Sequence, residues 1–191
     1  RHETYIDVLK TGDVLSGSET SRTSIVITDR ERGSLYAPLV SLADRDSQRL
    51  DSMIAADMAR ALLITYFGET RARVATDTWS RYQTQDRGLA LVPYGSSDRY
   101  ATLLGSMAAS GRFDRSGLAA YWYALLNTSS TSRSDVALAL AGLAALSEPI
   151  LLPLRSFAAV TDLNALEKTY VALAASLAGD NELARRFFFY F

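Results

Sequence analysis

Apolar residues recur at helical spacing through most of this chain, and capped turns cut the pattern into segments. The clearest stretch is Ser134–Phe191, where SDVALALAGLAALSEP is followed by LNALEKTYVALAASLAGDNELARRFFFYF. Leu173, Leu177, Leu183, Ala184 and Phe187 flank an Ala178-Gly179-Asp180 corner. Gly179 tolerates the positive φ that closes one helix, and Asp180 or Asn181 caps the next, which predicts an αα-hairpin. Upstream, Leu50, Met53, Ile54, Met58, Ala61, Leu62 and Tyr66 predict a helix over 47–67, with Asp46 or Ser47 as its cap and Gly68 after its last turn. Further helices are expected over 71–84, 98–110, 114–127, 135–147 and 150–159. Ser134-Asp135 would cap the 135–147 segment, and Thr161-Asp162 the long helix that runs to Ala178. The fold class is therefore mainly α, built of paired antiparallel helices.

Residues 1–36 differ in character. TYIDVLK and SIVITD are β-branched or alternating, and the stretch between them is polar and turn-rich. They predict two short strands or an extended arm. A division into an extended segment, 1–40, and a helical-hairpin domain, 41–191, follows. Within that domain SDRYATLLGSMAAS (97–110) is echoed by SDVALALAGLAALS (134–147), with Gly105 matched to Gly142. The offset lies in the range of helical arrays. A glycine inside a helix costs about 1 kcal/mol relative to alanine, so both positions predict close approach of a neighbouring helix.

Composition narrows the chemistry. The chain has no cysteine, which excludes disulfides, thiolate metal sites and cysteine nucleophiles. Its one histidine is His2, beside the start, so the usual general base and zinc ligand are missing from the body. A net charge of −1 gives no general attraction to nucleic acid, and no uncharged apolar run is long enough to span a membrane. The opening at Arg1 suggests a domain of a larger protein. No cofactor is indicated: glycine-rich phosphate loops and the G-x-S-x-G elbow are both missing.

The remaining chemistry is carboxylates and aromatics. Asp44, Asp46 and Asp51 alternate with Arg45 and Arg49, the pattern of a salt-bridged helix start. Asp77, Asp86 and Asp98 surround the GLALVPYGSSD corner and are the weak catalytic candidates, although cap and loop roles account for each. Trp79, Tyr82, Tyr94, Tyr100 and Trp122 concentrate in the middle third and are the candidates for ligand binding, with a place in the core as the competing role. Tyr121-Trp122-Tyr123 cannot all face one way on a helix.

The capped helix pairs and the GLALVPYGSSDRYAT corner resemble the α/α-toroid superfamily, closest in style to the thioester-domain-like helical domains of bacterial α2-macroglobulin-type surface proteins. Gly88, Leu89, Tyr94, Asp98 and Tyr100 carry the likeness. The resemblance implies a partial or small helical ring. It does not bring the family's chemistry, because the Cys-Gly-Glu-Gln thioester, the Asp-x-Asp-Asp and Asp-Asp-x-x-Asp motifs and the zinc cysteine are all missing. The expected function is a non-catalytic scaffold or interaction module of a bacterial surface or secreted protein, contacting neighbouring domains and a protein or small-molecule ligand. A toroid-type enzyme using Asp77, Asp86 or Asp98, a TPR-like adaptor and a cytoplasmic location are the alternatives.

Overall fold

The structure is a computed structural model that describes residues 10–14, 17, 19–20, 25, 27, 29–69 and 76–188. It is mainly helical, and among the described residues there is no regular strand, only isolated bridges between Gln83 and Leu89 and between Ala90 and Ser97. No described helix is long and apolar enough to cross a membrane. The chain divides into two compact units, Arg1–Ser47 with Ala55–Val74, and Gln48–Ile54 with Ala75–Phe191.

The first unit pairs helix α1 (Arg30–Ala43) with the later turns of α2 (Leu50–Phe67). The extended reading of residues 1–36 fails from Arg30 onward. Asp29 caps α1 by accepting a hydrogen bond from the Arg32 N–H at 2.9 Å, and Tyr36, Leu39, Val40, Leu42 and Ala43 then fall at helical spacing. Gly33 and Pro38, both poor helix residues, disguised this segment. The predicted strands upstream lie largely outside the described residues. Val40, Ala43, Ala59 and Leu63 form a small core, edged by Tyr36 and Phe67 with ring centroids 5.1 Å apart. The Arg60 guanidinium donates to the Ala43 carbonyl and so satisfies the end of α1. In this part of α2 the buried face is Ala56, Ala59 and Leu63; Met58, Leu62 and Tyr66 of the expected stripe are exposed. Because α2 is apolar on every side, spacing alone could not select the inner face.

The second unit contains a 3-10 turn (Thr76–Tyr82) and helices α3 (Arg99–Ala108), α4 (Arg115–Leu126), α5 (Arg133–Ala145), α6 (Leu151–Ala158), α7 (Ala165–Leu177) and α8 (Asn181–Phe188). The helix expected over 71–84 is thus a tighter 3-10 turn over its described part. Two caps are displaced from their predicted positions. Ser132, not Ser134-Asp135, caps α5, and Asn164, not Thr161-Asp162, caps α7. In each case the chosen residue sits three positions before an acid: Asp135 follows Ser132 and Glu167 follows Asn164. Asn164 and Glu167 form a full capping box, with both bonds at 2.9 Å. The 179 corner behaves as expected: Gly179 has φ +81°, and Asp180 accepts from the Leu183 N–H at 3.2 Å.

Side chains lace the starts of α3, α5 and α7 together. Arg99 reaches Asp135 at 2.5 Å, Arg133 reaches Asp162 at 2.8 Å, and the Ser134 hydroxyl donates to the buried Glu167 at 3.3 Å. With α5 packed between α3 and α7, these links require the three helices to run parallel. Their starts at residues 99, 133 and 165 recur every ~33 residues, the period of a helical array. Ala137–Ala144 of α5 are all buried, so this helix is the centre of the unit.

The glycine echo is explained by packing. A Cβ on Gly142 would come under 3.0 Å from three indole atoms of the fully buried Trp122 on α4. A Cβ on Gly105 would collide with Leu89, a loop residue and not the neighbouring helix that was expected. Gly142→Ala is predicted to destabilise the protein by roughly 1–3 kcal/mol through overpacking. Gly111→Ala, which places a Cβ in open space, should change stability by less than about 0.5 kcal/mol. Urea melts followed by tryptophan fluorescence measure both; coincident curves for Gly142→Ala and the parent would disprove the keyed contact.

Candidate functional site

The corner between Gln83 and Leu104 holds half of the sequence candidates, Asp86, Tyr94, Asp98 and Tyr100. Three backbone bonds fold it: Ala90 N–H to the Tyr82 carbonyl at 2.8 Å, Asp98 N–H to Leu89 at 2.8 Å, and Leu50 N–H to Leu91 at 2.9 Å. The last of these ties the first turn of α2 to the corner. Tyr82 adds a bond from its hydroxyl to the Gln48 carbonyl at 2.6 Å. A buried polar chain then fastens the corner to the helices. The Leu89 N–H donates to the Thr102 hydroxyl at 2.8 Å, and the Thr102 hydroxyl donates to the Asp98 carbonyl at 2.7 Å. Ser106 donates to the Thr102 carbonyl at 2.8 Å and accepts from the Trp122 indole at 3.1 Å.

The aromatic candidates separate into two groups. Trp79, Tyr82 and Trp122 are 6%, 3% and 0% exposed, which makes them core side chains and removes them from an open binding face. Trp79 packs edge-on against Phe113 at 5.7 Å, with the Arg112 guanidinium over its ring. Tyr94 and Tyr100, by contrast, are 87% and 62% exposed. Tyr94 occupies the tip of a turn closed by the Gly95 N–H and the Val92 carbonyl at 3.0 Å. Burial, then the neighbouring Tyr100 hydroxyl and the charge of Asp135, push the phenol of Tyr170 on α7 up to about 12.

The carboxylate candidates are not gathered at one point. Asp77 lies in the 3-10 turn, and its side chain is outside the described set. Asp86 accepts from the Ser97 hydroxyl at 2.5 Å, from the Gly88 N–H at 3.2 Å and from the Thr84 hydroxyl. Partial burial works to raise its pKa, but these three bonds outweigh it and hold the carboxyl below its ordinary range. Asp98 caps α3 through Oδ1, which accepts from the Ala101 N–H at 2.8 Å.

Among the candidates, Asp98 and Tyr100 line a shallow depression of about 260 Å³ together with Arg49, Asp51, Leu91, Ala101 and Leu104. Arg49 and Asp51 form the salt-bridged helix start expected from the sequence, with Nη2 2.8 Å from Oδ2. The Arg49 guanidinium holds the Asp51 carboxyl below its ordinary range. Leu91, Ala101 and Leu104 were not anticipated as site residues. The pocket joins positions 49–51 to 91–104, and no local pattern signals that juxtaposition. Among the described residues no cluster of three metal-ligating side chains exists.

Compared with protein-family models, with curated proteins and with solved structures, the chain matches none.

The bonds at Asp86 generate a prediction. A carboxylate with a lowered folded-state pKa contributes stability that is present above the unfolded value and lost as pH falls through the folded one. Asp86→Asn should therefore cost on the order of 1 kcal/mol at pH 7. The gap between variant and parent should close as pH falls from about 5 to about 2. Urea titrations across that range measure it, and a gap constant with pH would show that the charge of Asp86 is immaterial.

Proposed function

We propose that the helical unit is a non-catalytic interaction module whose contact surface is the Leu91–Leu104 corner. The observation that carries this reading is the combination of a rigid turn presenting Tyr94 and an amphipathic pocket beside it. Tyrosine on a fixed turn offers a large contact area with only two side-chain torsions to restrict, which is why such residues anchor interfaces. Loops held by a rigid scaffold are a common seat of binding. The polar groups around the corner favour a binding role over catalysis. Asp86 is held by three donors, Asp98 is a helix cap, and Asp51 is paired with Arg49.

The parallel α3, α5 and α7, with α4 and α8 packed on α5 and α7, favour a helical-repeat scaffold. That arrangement supports both the TPR-like adaptor and the α/α-toroid likeness as readings of the architecture. A central α5 buried on all sides weighs against a cavity ringed by helices in this unit. Placement in a bacterial surface or secreted protein remains part of the proposal; a module without cysteine would not depend on the redox state of its compartment.

A photo-crosslinking residue at Tyr94 tests the reading, with the same residue at exposed Thr169 on α7 as the control. In lysate of the source cells, position 94 is expected to give a discrete adduct that excess unmodified protein competes away, and position 169 none. Absence of a competed adduct at 94 would sink the module.

A further inference from the structure

We infer that α1 is a releasable cover: it undocks from α2 as one element and bares the face around Ala59 and Leu63, while the second unit stays folded. Three features of the first unit lead there. One is the size of the contact. Among the described residues the core that holds α1 on α2 consists of Val40, Ala43, Ala59 and Leu63, and two of these are alanines. At its edge Tyr36 packs against Phe67, and the Tyr36 hydroxyl donates to Glu69. The free energy that holds two elements together grows with the apolar area between them, so a contact this small opens before a domain core does.

Another lies within α1 itself. Pro38 stands in the helix interior, where it has no N–H to give the Ser34 carbonyl and its ring crowds that carbonyl. Gly33, one turn into the helix, adds the entropy cost of ordering a residue without a side chain. A short helix carrying both residues gains little from its own backbone and depends on α2 to stay wound. Release and unwinding are therefore coupled. Helix α2 does not depend on α1 in the same way. Its first turns are held in the second unit, with Leu50 and Ile54 in the core and the Leu50 N–H bonded to the Leu91 carbonyl at 2.9 Å.

The remaining feature is Arg60. Its guanidinium donates to the Ala43 carbonyl at the end of α1, where the last turn has no basic residue of its own. That bond draws α1 onto α2. It also takes the group out of water: Arg60 is 8% exposed, and its buried Nε finds no hydrogen-bond partner among the described residues. A buried charged group with an unmatched donor is penalised in the docked arrangement alone. Release of α1 returns that donor to water, so the residue that closes the contact also opposes it.

Hydrogen exchange of the full chain, read by mass spectrometry on peptides from 30–43 and 133–145 in urea up to about 1 M, tests the release. In the parent, the protection of α1 is expected to be at least about a hundredfold lower than that of α5, through an opening with little urea dependence. Pro38→Ala, at an exposed position, restores the missing N–H and should slow exchange throughout α1 by about tenfold or more. Val40→Ala trims the buried contact and should quicken it by about tenfold. Neither variant should alter α5. Equal protection of α1 and α5 in the parent, a variant that shifts both together, changes confined to the substituted turn, or α1 exchange indifferent to Val40→Ala would each overturn the releasable cover. None of these results depends on the crosslink at Tyr94, so the two proposals fail separately.

Discussion

The second unit depends on one packing contact, the indole of Trp122 laid on the bare backbone of Gly142. Trp122 is fully buried, and no side chain larger than hydrogen fits beneath it. The contact allows α4 to approach the alanine-rich α5 closely enough for Ala137–Ala144 to be covered on every side. A glycine in a helix interior is unfavourable by about 1 kcal/mol, and burial of a tryptophan against it more than offsets that. The indole also reaches beyond α5. Its N–H donates to Ser106, and through Ser106 and Thr102 a buried chain of hydrogen bonds runs to the Leu89 backbone. The same side chain thus sets the spacing of two helices and anchors the loop that carries the exposed tyrosine.

The polar groups at the starts of α3, α5 and α7 hold the array by a different means. Arg99 with Asp135 is a half-buried pair and Arg133 with Asp162 a largely exposed one, and the exposed pair contributes modestly to stability. Their value lies in register, since each joins the first turn of one helix to the start of the next. Glu167 differs, being almost wholly buried, but it accepts from the Asn164 N–H and the Ser134 hydroxyl and faces Arg133 at 3.6 Å. A buried carboxylate supplied with donors in this way fixes where α7 begins relative to α5.

The helices were legible wherever several local signals agreed. At 179 a glycine, an acidic cap and apolar spacing coincide, and the hairpin follows the prediction. Where signals conflicted, tertiary contacts decided. Gly33 and Pro38 hid α1, although Asp29 and the Tyr36–Ala43 spacing were present. At α5 and α7 several residues could have served as caps, and the winner was the one with an acid three positions later. Aromatic content marked the middle third correctly as special but could not distinguish Trp122, sealed against Gly142, from Tyr94, held in solvent. Exposure of an aromatic residue is a property of the packed chain. The pocket was illegible for the same reason, since the bond from Leu50 to Leu91 brings together segments forty residues apart.

Helix α3 belongs to both halves of this arrangement, and that dual membership bears on what the corner can do. Its inward residues, Thr102, Gly105 and Ser106, take part in the buried chain and the Leu89 contact; its outward residues, Tyr100 and Leu104, form the wall of the pocket. A displacement of the pocket wall would therefore have to break buried hydrogen bonds, each costly to leave unmade. The corner is accordingly held in one geometry by the core and not by its own few contacts. A surface held this way is poorly suited to adapting to many partners and well suited to a single complementary one, because its shape exists before binding and little conformational entropy remains to be lost. The stiffness that Trp122 confers on the core thus extends through α3 to the corner that presents the exposed Tyr94.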